Sequence, residues 1–278
     1  MFPSLMIAVN NAIISLPPFN PALDLTLTVS RGSPYTWWDV RDMDLSLDWT
    51  VMLIIYWINS SWQRIEQYNL ATPFDITNMT LSHVMVMPDW SNSAYRNSTV
   101  VRFAKNWTML FYQVSNVTYT YDLTVPYDIT NRTNPKSIIT TSLWAFDIIL
   151  DWTKMIWGYV RDWHIYEITM SVARDITTAT ITKTNSTLWT SFWFAWFSVS
   201  SDWKYIYAWH SNGYVWTGSE RISRIDLTTP FDITVLTHSW LYFNPWYPYP
   251  SAFRYIESQQ KWYRGSGWNA LKEYDITP

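Results

Sequence analysis

Charged side chains recur at one point of the sequence where they could bind a polar ligand. Asp44, Arg102 and Asp147 each stand four residues before an Asp or Asn that is followed by Trp, and Ser198 occupies the same point in a fourth segment. Arg254 lies near the matching place close to the C-terminal end. A guanidinium can bind an anion, and a carboxylate can accept hydrogen bonds from hydroxyl groups. We therefore predict a ring of binding residues formed by Asp44, Arg102, Asp147 and Arg254.

The same four residues have a second interpretation, which the sequence leaves open. Opposite charges at equivalent positions can pair with one another in a solvated ring that contributes little energy. Two of the carboxylates would act as an acid and base pair only at a separation of ~5–9.5 Å and with displaced pKa values. A spacing in sequence shows neither property.

The sequence gives little support for other catalytic or metal-binding sites. The chain has no Cys, so disulfides, thiolate nucleophiles and Cys-based zinc sites are excluded. Its four histidines (His83, His164, His210 and His238) form no His-Glu-x-x-His or His-x-His pair. It contains no Gly-x-Ser-x-Gly elbow, phosphate loop or dinucleotide fingerprint. We predict no catalytic residue, no metal and no cofactor.

Composition narrows the class of partner. The chain of 278 residues has a net charge of -3, whereas a nucleic-acid-binding protein would show a basic face. The longest apolar run, Val51 to Ile58, is far shorter than the ~20 residues that span a bilayer. The apolar segment Leu5 to Leu16 lacks a preceding basic residue and is a poor signal peptide. We predict no nucleic-acid partner and no membrane span.

A marker, Asp-Ile-Thr or Asp-Leu-Thr, repeats along the chain. Its Asp falls every 47 to 57 residues, at Asp24, Asp75, Asp128, Asp175 and Asp232. The fullest copies read Thr-Pro-Phe-Asp-Ile-Thr from Thr72 and from Thr229, and the chain ends inside a further copy. Pro presets the backbone of a turn and Asp can bond a nearby amide, so the marker predicts a turn into a strand.

Each unit contains four runs typical of short strands. In the third unit these are 145–150, 154–160, 164–169 and 178–184. No segment shows a sustained helical period, so we predict almost no helix. One such sheet cannot bury both faces alone, whereas sheets packed around a ring can, and the pattern predicts an all-β propeller with four-stranded antiparallel blades. A tyrosine in each marker is predicted to pack between blades, at Tyr68, Tyr121, Tyr166 and Tyr274.

The number of blades has two readings. The whole chain, 1–278, is predicted to be one propeller domain that begins and ends partway through a blade. We favour about six repeat units. The alternative is five closed blades plus an N-terminal hairpin, in which the strand near Leu25 to Ser30 completes the last blade.

The units resemble propeller repeats of the YVTN and quinoprotein-like kind, found in bacterial surface and phage-encoded proteins. The resemblance rests on Tyr68 to Thr77, Tyr121 to Thr130 and Ile225 to Thr234. It implies a WD40-like ring, with functional residues on the innermost strands at the mouth of a central channel. Such propellers are binding platforms or enzymes, so the resemblance is specific for the repeat and unspecific for the activity.

One departure from the family is systematic. Where the family has Asp-Gly in the first turn of a blade, this chain has Trp49, Trp107, Trp152 and Trp203. A tight type I′ hairpin needs positive φ, where a Cβ atom costs ~1–2 kcal/mol. The chain has 6 Gly and 21 Trp. Our hypothesis is that these tryptophans stand at glycine positions, encoded by UGA codons that the source reads as Gly.

We therefore predict a non-catalytic interaction platform on a cell surface, on a virion or in a secreted protein, with a protein or carbohydrate partner. The alternative is a propeller enzyme of the lactonase, glycosidase or quinoprotein kind, with its site at the channel mouth. A third reading, a lectin with one sugar site per blade, requires the same exposed polar and aromatic set in every unit.

Overall fold

The described residues form an all-β propeller of five four-stranded antiparallel sheets. This computed structural model describes residues 25–32, 39–46, 48–59, 62–86, 99–103, 108–114, 117–139, 145–148, 153–159, 164–173, 175–186, 192–200, 204–212, 220–230, 232–243, 250–256, 261–266 and 270–276. In these residues the only helices are short 3₁₀ turns, at Ile76–Asn78, Ile129–Asn131 and Ile176–Thr178. The all-β fold and the four-stranded blades are thus confirmed.

The strands follow the repeat. The first described strand is β1 (Leu25–Gly32). Blade 1 contains β2 (Asp39–Leu45), β3 (Val51–Asn59), β4 (Trp62–Leu70) and β5 (Met79–Val86). Blade 2 contains β6 (Thr99–Phe103), β7 (Met109–Val114), β8 (Val117–Leu123) and β9 (Arg132–Ile139).

The later blades repeat this order. Blade 3 contains β10 (Ala145–Ile148), β11 (Lys154–Tyr159), β12 (His164–Met170) and β13 (Ala179–Asn185), close to the strands predicted for the third unit. Blade 4 contains β14 (Phe192–Val199), β15 (Tyr205–Asn212), β16 (Glu220–Thr229) and β17 (Asp232–Phe243). Blade 5 begins with β18 (Pro250–Ile256), β19 (Lys261–Ser266) and β20 (Ala270–Ile276).

The N-terminal strand closes the ring. Strand β1 pairs with β20, from Leu25 opposite Ile276 to Gly32 opposite Ala270, and so becomes the outermost strand of blade 5. The first strands of the blades, β2, β6, β10, β14 and β18, contact one another in a cycle. The described residues therefore form the five-blade alternative, with closure by β1, rather than the favoured six units. The hairpin before β1 lies outside them. Strands that are far apart in the sequence pair here within one blade, because an open sheet edge offers backbone groups for a further strand.

Hydrophobic clusters lie between the blades. One cluster joins blade 1, through residues such as Met43 and Tyr68, to Tyr263 and Leu271 of blade 5. Three further clusters join blade 1 to blade 2, blade 2 to blade 3 and blade 3 to blade 4. Blades 1, 2 and 3 thus bury both faces because each has a neighbour on either side, which is the physical basis of the ring.

The predicted role of the marker tyrosine is confirmed at Tyr68, which is buried in the cluster between blades 5 and 1. Packing between blades also holds for Tyr121 and Tyr166, which lie against the clusters between blades 1 and 2 and between blades 2 and 3. The predicted equivalence of position, however, is wrong for Tyr166. The amides of Leu70, Leu123, Met170 and Leu227 make the same bond to the turn at the start of the second strand. Blades 3 and 4 therefore have Ile168 and Ile225 where blade 1 has Tyr68 and blade 2 has Tyr121.

The marker turns are built as expected. Asp75 accepts hydrogen bonds at its Oδ1 from the Thr77 amide (2.8 Å) and hydroxyl (2.5 Å), and so caps the 3₁₀ turn before β5. The same pair of bonds forms at Asp128, Asp175 and Asp232. The repeated Asp and Thr are thus explained by turn formation.

The first turn of blade 1 differs from the predicted two-residue hairpin. Residues 46–50 separate the strands, and the Trp49 amide donates to the Ser46 carbonyl at 3.0 Å. Trp49 has φ 61°, so one residue of this turn occupies the left-handed region, as the glycine hypothesis requires. Its ring packs on Phe74 at 4.7 Å, which offsets part of the strain. Trp107, Trp152 and Trp203 lie outside the described residues.

Candidate functional site

The four predicted binding residues meet at the centre of the ring. Asp44, Arg102, Asp147 and Arg254 lie on β2, β6, β10 and β18, the innermost strands of blades 1, 2, 3 and 5. Short inner strands of alternating pattern put one side chain of each blade on the face that looks towards the next blade. Counting from the turn therefore identified positions that the fold brings together.

These residues form a chain of ion pairs that crosses the ring. Arg254 binds Asp44 through Nε (3.1 Å to Oδ1) and Asp147 through Nη1 (2.9 Å to Oδ2). Arg102 Nε lies 3.4 Å from the other oxygen of Asp147. The chain ends at Asp42, whose Oδ2 is 2.5 Å from Arg102 Nη1. It thus begins and ends on β2, linking blades 1, 2, 3 and 5.

Backbone amides complete the coordination of the carboxylates. Asp42 and Asp44 accept from the amides of Val101 (2.8 Å) and Phe103 (2.7 Å) on β6. Asp147 accepts in the same way from Val199 (3.0 Å) on β14. The aspartates of one inner strand therefore bind the backbone of the inner strand that follows, which ties adjacent blades together at the axis.

The groups are buried rather than solvated. Asp42, Asp44 and Arg102 are at most 2% exposed, Asp147 is also buried, and 22% of the Arg254 side chain is exposed. The interpretation as a solvated ring is therefore wrong, because these charges interact in a low dielectric where each must be paired. The blade 4 position, Ser198, is buried too, and its hydroxyl makes no hydrogen bond among the described residues.

Burial and pairing displace the pKa values in opposite directions. Burial raises the pKa of Asp42 to about 6, against the lowering effect of Arg102 and of backbone amides. Burial also raises the pKa of Asp44, although Arg254 and Arg102 oppose it. For Asp147, burial is outweighed by Arg254 and Arg102 on either side, and its pKa lies below the ordinary value. The cluster therefore contains an ionised aspartate beside two that hold protons more tightly.

Sequence reasoning missed Asp42, which is completely buried. It precedes Asp44 by two residues and so shares its face of β2, and a carboxylate at that spacing was the available signal. The bulge in the pairing with β3 lies before Asp42, so regular alternation holds from Asp42 to Asp44.

A second set of repeated polar contacts connects adjacent blades at the outer rim. Eight residues after a marker Asp stand His83, Lys136 and Lys183 on the outermost strands. They contact the marker Asp of the next blade: Asp128 (3.5 Å), Asp175 (2.8 Å) and Asp232 (3.2 Å). These partly exposed pairs hold each outer strand against the next turn, and each is worth little in energy.

Exposed hydrophobic side chains concentrate on one outer strand. Among the described residues seven large hydrophobic side chains are exposed, and three of them, Leu81, Val84 and Val86, are on β5. These three are between 42% and 53% exposed. Scattered exposed apolar residues are ordinary, but a group on the last strand of a sheet is typical of a contact surface.

The described blades do not share the exposed tyrosine that a lectin with one sugar site per blade would need. Tyr68 is buried, and its equivalents in blades 3 and 4 are isoleucines. In the part of the chain that the structure describes, no three His, Cys, Asp or Glu residues are grouped so as to hold a metal ion. Within the same residues no helix has the length and apolarity to cross a membrane.

Comparison with solved structures shows the fold. A functionally unknown protein from Desulfotomaculum acetoxidans is similar, with a TM-score of 0.52 and 10% identity over 87% of this chain and 78% of that one. A protein from Lactobacillus plantarum matches with a TM-score of 0.50 and 10% identity over 81% of this chain. This chain spans 63% of the length of the Lactobacillus protein. No protein-family model and no curated protein matches the sequence.

Proposed function

We propose that the protein is a non-catalytic propeller that serves as an interaction platform. The observation that carries this proposal is the state of the charges at the ring centre. Asp44, Asp147 and Arg254 are engaged with one another and with backbone amides of neighbouring blades. An acid and base pair that acts on a substrate must reach it, whereas these groups hold the blades together.

The contact surface in this proposal is the outer edge of blade 1. Strand β5 ends its sheet and carries Leu81, Val84 and Val86 on its surface. A strand at the edge of its sheet among the described residues, with apolar side chains on its surface, suits a protein partner that lays an extended segment along it. A carbohydrate partner is the other outcome, since binding to sugars would use polar loops instead.

The test combines binding with a catalytic screen. The biotinylated protein is applied to arrays of extracellular proteins and glycans. Binding to a protein should fall at least tenfold in a double variant, Leu81→Ser with Val86→Ser. The control Val235→Ser changes an equally exposed residue on β17 and should bind as the wild type does. Binding that survives in the double variant would contradict the assignment to β5.

A propeller enzyme is the second candidate, because charges from four blades converge and Asp42 has a pKa of about 6. Chromogenic glycosides, lactones and esters test it. Turnover by the wild type that is abolished in Asp147→Asn would establish an enzyme and overturn the platform. Absence of turnover, together with binding that depends on β5, supports the platform.

We also propose that the repeat belongs to the YVTN and quinoprotein-like kind, and that the protein works on a cell surface, on a virion or in the extracellular medium. Glycine positions occupied by Trp49, Trp107, Trp152 and Trp203 are part of this proposal, supported by the positive φ of Trp49. The codons test it: UGA at these positions agrees, and UGG at all four contradicts it.

A further inference from the structure

The buried charges at the ring centre do not balance. Three carboxylates, Asp42, Asp44 and Asp147, face two guanidiniums, Arg102 and Arg254. If all five are ionised, the cluster has one excess negative charge in a region sheltered from water. An uncompensated buried charge is expensive, so the cluster is stabilised by gaining one proton.

The geometry indicates where the proton is held. Asp42 Oδ2 accepts from the Val101 amide and from Arg102, whereas Oδ1 accepts no hydrogen bond in the described residues. A protonated Asp42 would carry its hydrogen on Oδ1 and lose none of these bonds. Asp147 is a poor place for a proton because both arginines bind it.

Charged groups lie near Asp42 on its own strand and on neighbouring inner strands. Its own strand supplies Asp44 and, at the bulge, Arg41; β6 supplies Arg102, which forms its ion pair. Beyond Arg102, β10 contributes Asp147 and β18 contributes Arg254. The paired positions of β3 are apolar, Ile55 opposite Asp42 and Leu53 opposite Asp44, so no described group there can compensate a second negative charge.

We propose that the ring centre is a proton-binding switch, in which one proton shared by Asp42 and Asp44 neutralises the ionic chain that links blades 1, 2, 3 and 5. The propeller is then more stable in mildly acidic than in neutral solution, the reverse of ordinary acid denaturation. Because the two carboxylates interact, they titrate as a unit and the proton belongs to the pair.

The direction and size of the change in stability with pH follow from the linkage between proton binding and folding. The pKa of Asp42 rises from 3.8 to about 6 on folding, so the folded state binds the proton more tightly. Its contribution is fully present below pH 3.8 and is lost as the pH rises through 6. With these values the unfolding equilibrium constant should rise about tenfold between pH 5 and pH 7.5.

Asp42→Asn tests the switch. The amide oxygen can still accept from Val101 and Arg102, and the amide group takes the place of the protonated oxygen. We expect the variant to unfold with an equilibrium constant that no longer rises between pH 5 and pH 7.5, and to be more stable than the wild type at pH 7.5. All other titratable groups are common to both proteins, so the difference between the two curves isolates Asp42.

Asp147→Asn is the matched control. It also removes one carboxylate, but it removes the one bound by both arginines, so it should be less stable than the wild type at pH 7.5. A second measurement is a carboxyl ¹³C NMR titration of the protein labelled at Asp. In the wild type one carboxyl resonance should titrate with a midpoint near pH 6, and this resonance should be missing in Asp42→Asn. An unchanged pH slope in Asp42→Asn, or no Asp carboxyl that titrates between pH 5 and 7, would overturn the proposal.

Discussion

Replacing Arg254 by Met tests whether the central ion pairs hold the ring closed. The side chain bridges Asp44 of blade 1 and Asp147 of blade 3 from its place on blade 5. Methionine keeps much of the length but leaves three carboxylates facing Arg102 alone. Breaking a buried pair by removing one partner costs about 3–5 kcal/mol.

The partial exposure of Arg254 determines how much stability the Arg254→Met variant should lose. Since 22% of its side chain is exposed, water screens part of the loss, and we expect the lower end, about 3 kcal/mol. A domain has ~5–15 kcal/mol of stability in total, so the variant should be visibly weakened. With a urea slope near 3 kcal/mol per molar, the midpoint should fall by about 1 M.

The assay is urea unfolding at pH 7.5, followed by tryptophan fluorescence. Lys136→Met is the control, because it removes an inter-blade pair with Asp175 whose two side chains are 39% and 23% exposed, and it should cost about 0.2–1 kcal/mol. Arg254→Lys keeps the charge but lacks the forked donors that reach two carboxylates, so it should fall between the wild type and Met. If Arg254→Met loses no more than Lys136→Met, the central pairs do not close the ring.

Two further changes probe the turns of blade 1. Trp49 has φ 61°, so Trp49→Gly should be more stable than Trp49→Ala by about 0.5–1 kcal/mol, because both variants lose the ring but Ala keeps the Cβ clash. Thermal unfolding measures the order of stability, and a higher melting temperature for Trp49→Ala would refute the strain. Tyr263→Phe removes a 2.9 Å hydrogen bond from blade 5 to the Phe74 carbonyl of blade 1, and should lower the free energy of unfolding by about 1 kcal/mol. Thermal unfolding measures this loss, and an unchanged melting temperature would show that the bond adds nothing to blade closure.

The sequence predicted much of this fold because each blade solves the same burial problem. Strand runs such as 154–160 and the turn around Asp75 depend on local pattern and local hydrogen bonds, so they could be read without a structure. Counting from the first turn even found the inward-facing charges Asp44, Arg102 and Asp147. The repeats made these inferences possible, because a pattern that is weak in one unit can be recognised from the same pattern in the next.

The sequence by itself determined the repeat, the strand content and the positions that share an inner strand. Only the tertiary structure decided that the described strands form five blades, because the pairing of β1 with β20 joins segments that are far apart in the sequence. Only it decided that the central charges are buried partners and that Asp42 belongs to them. Ring closure and the desolvation of a charge depend on what surrounds a residue in space, and no pattern of neighbours along the chain contains that information.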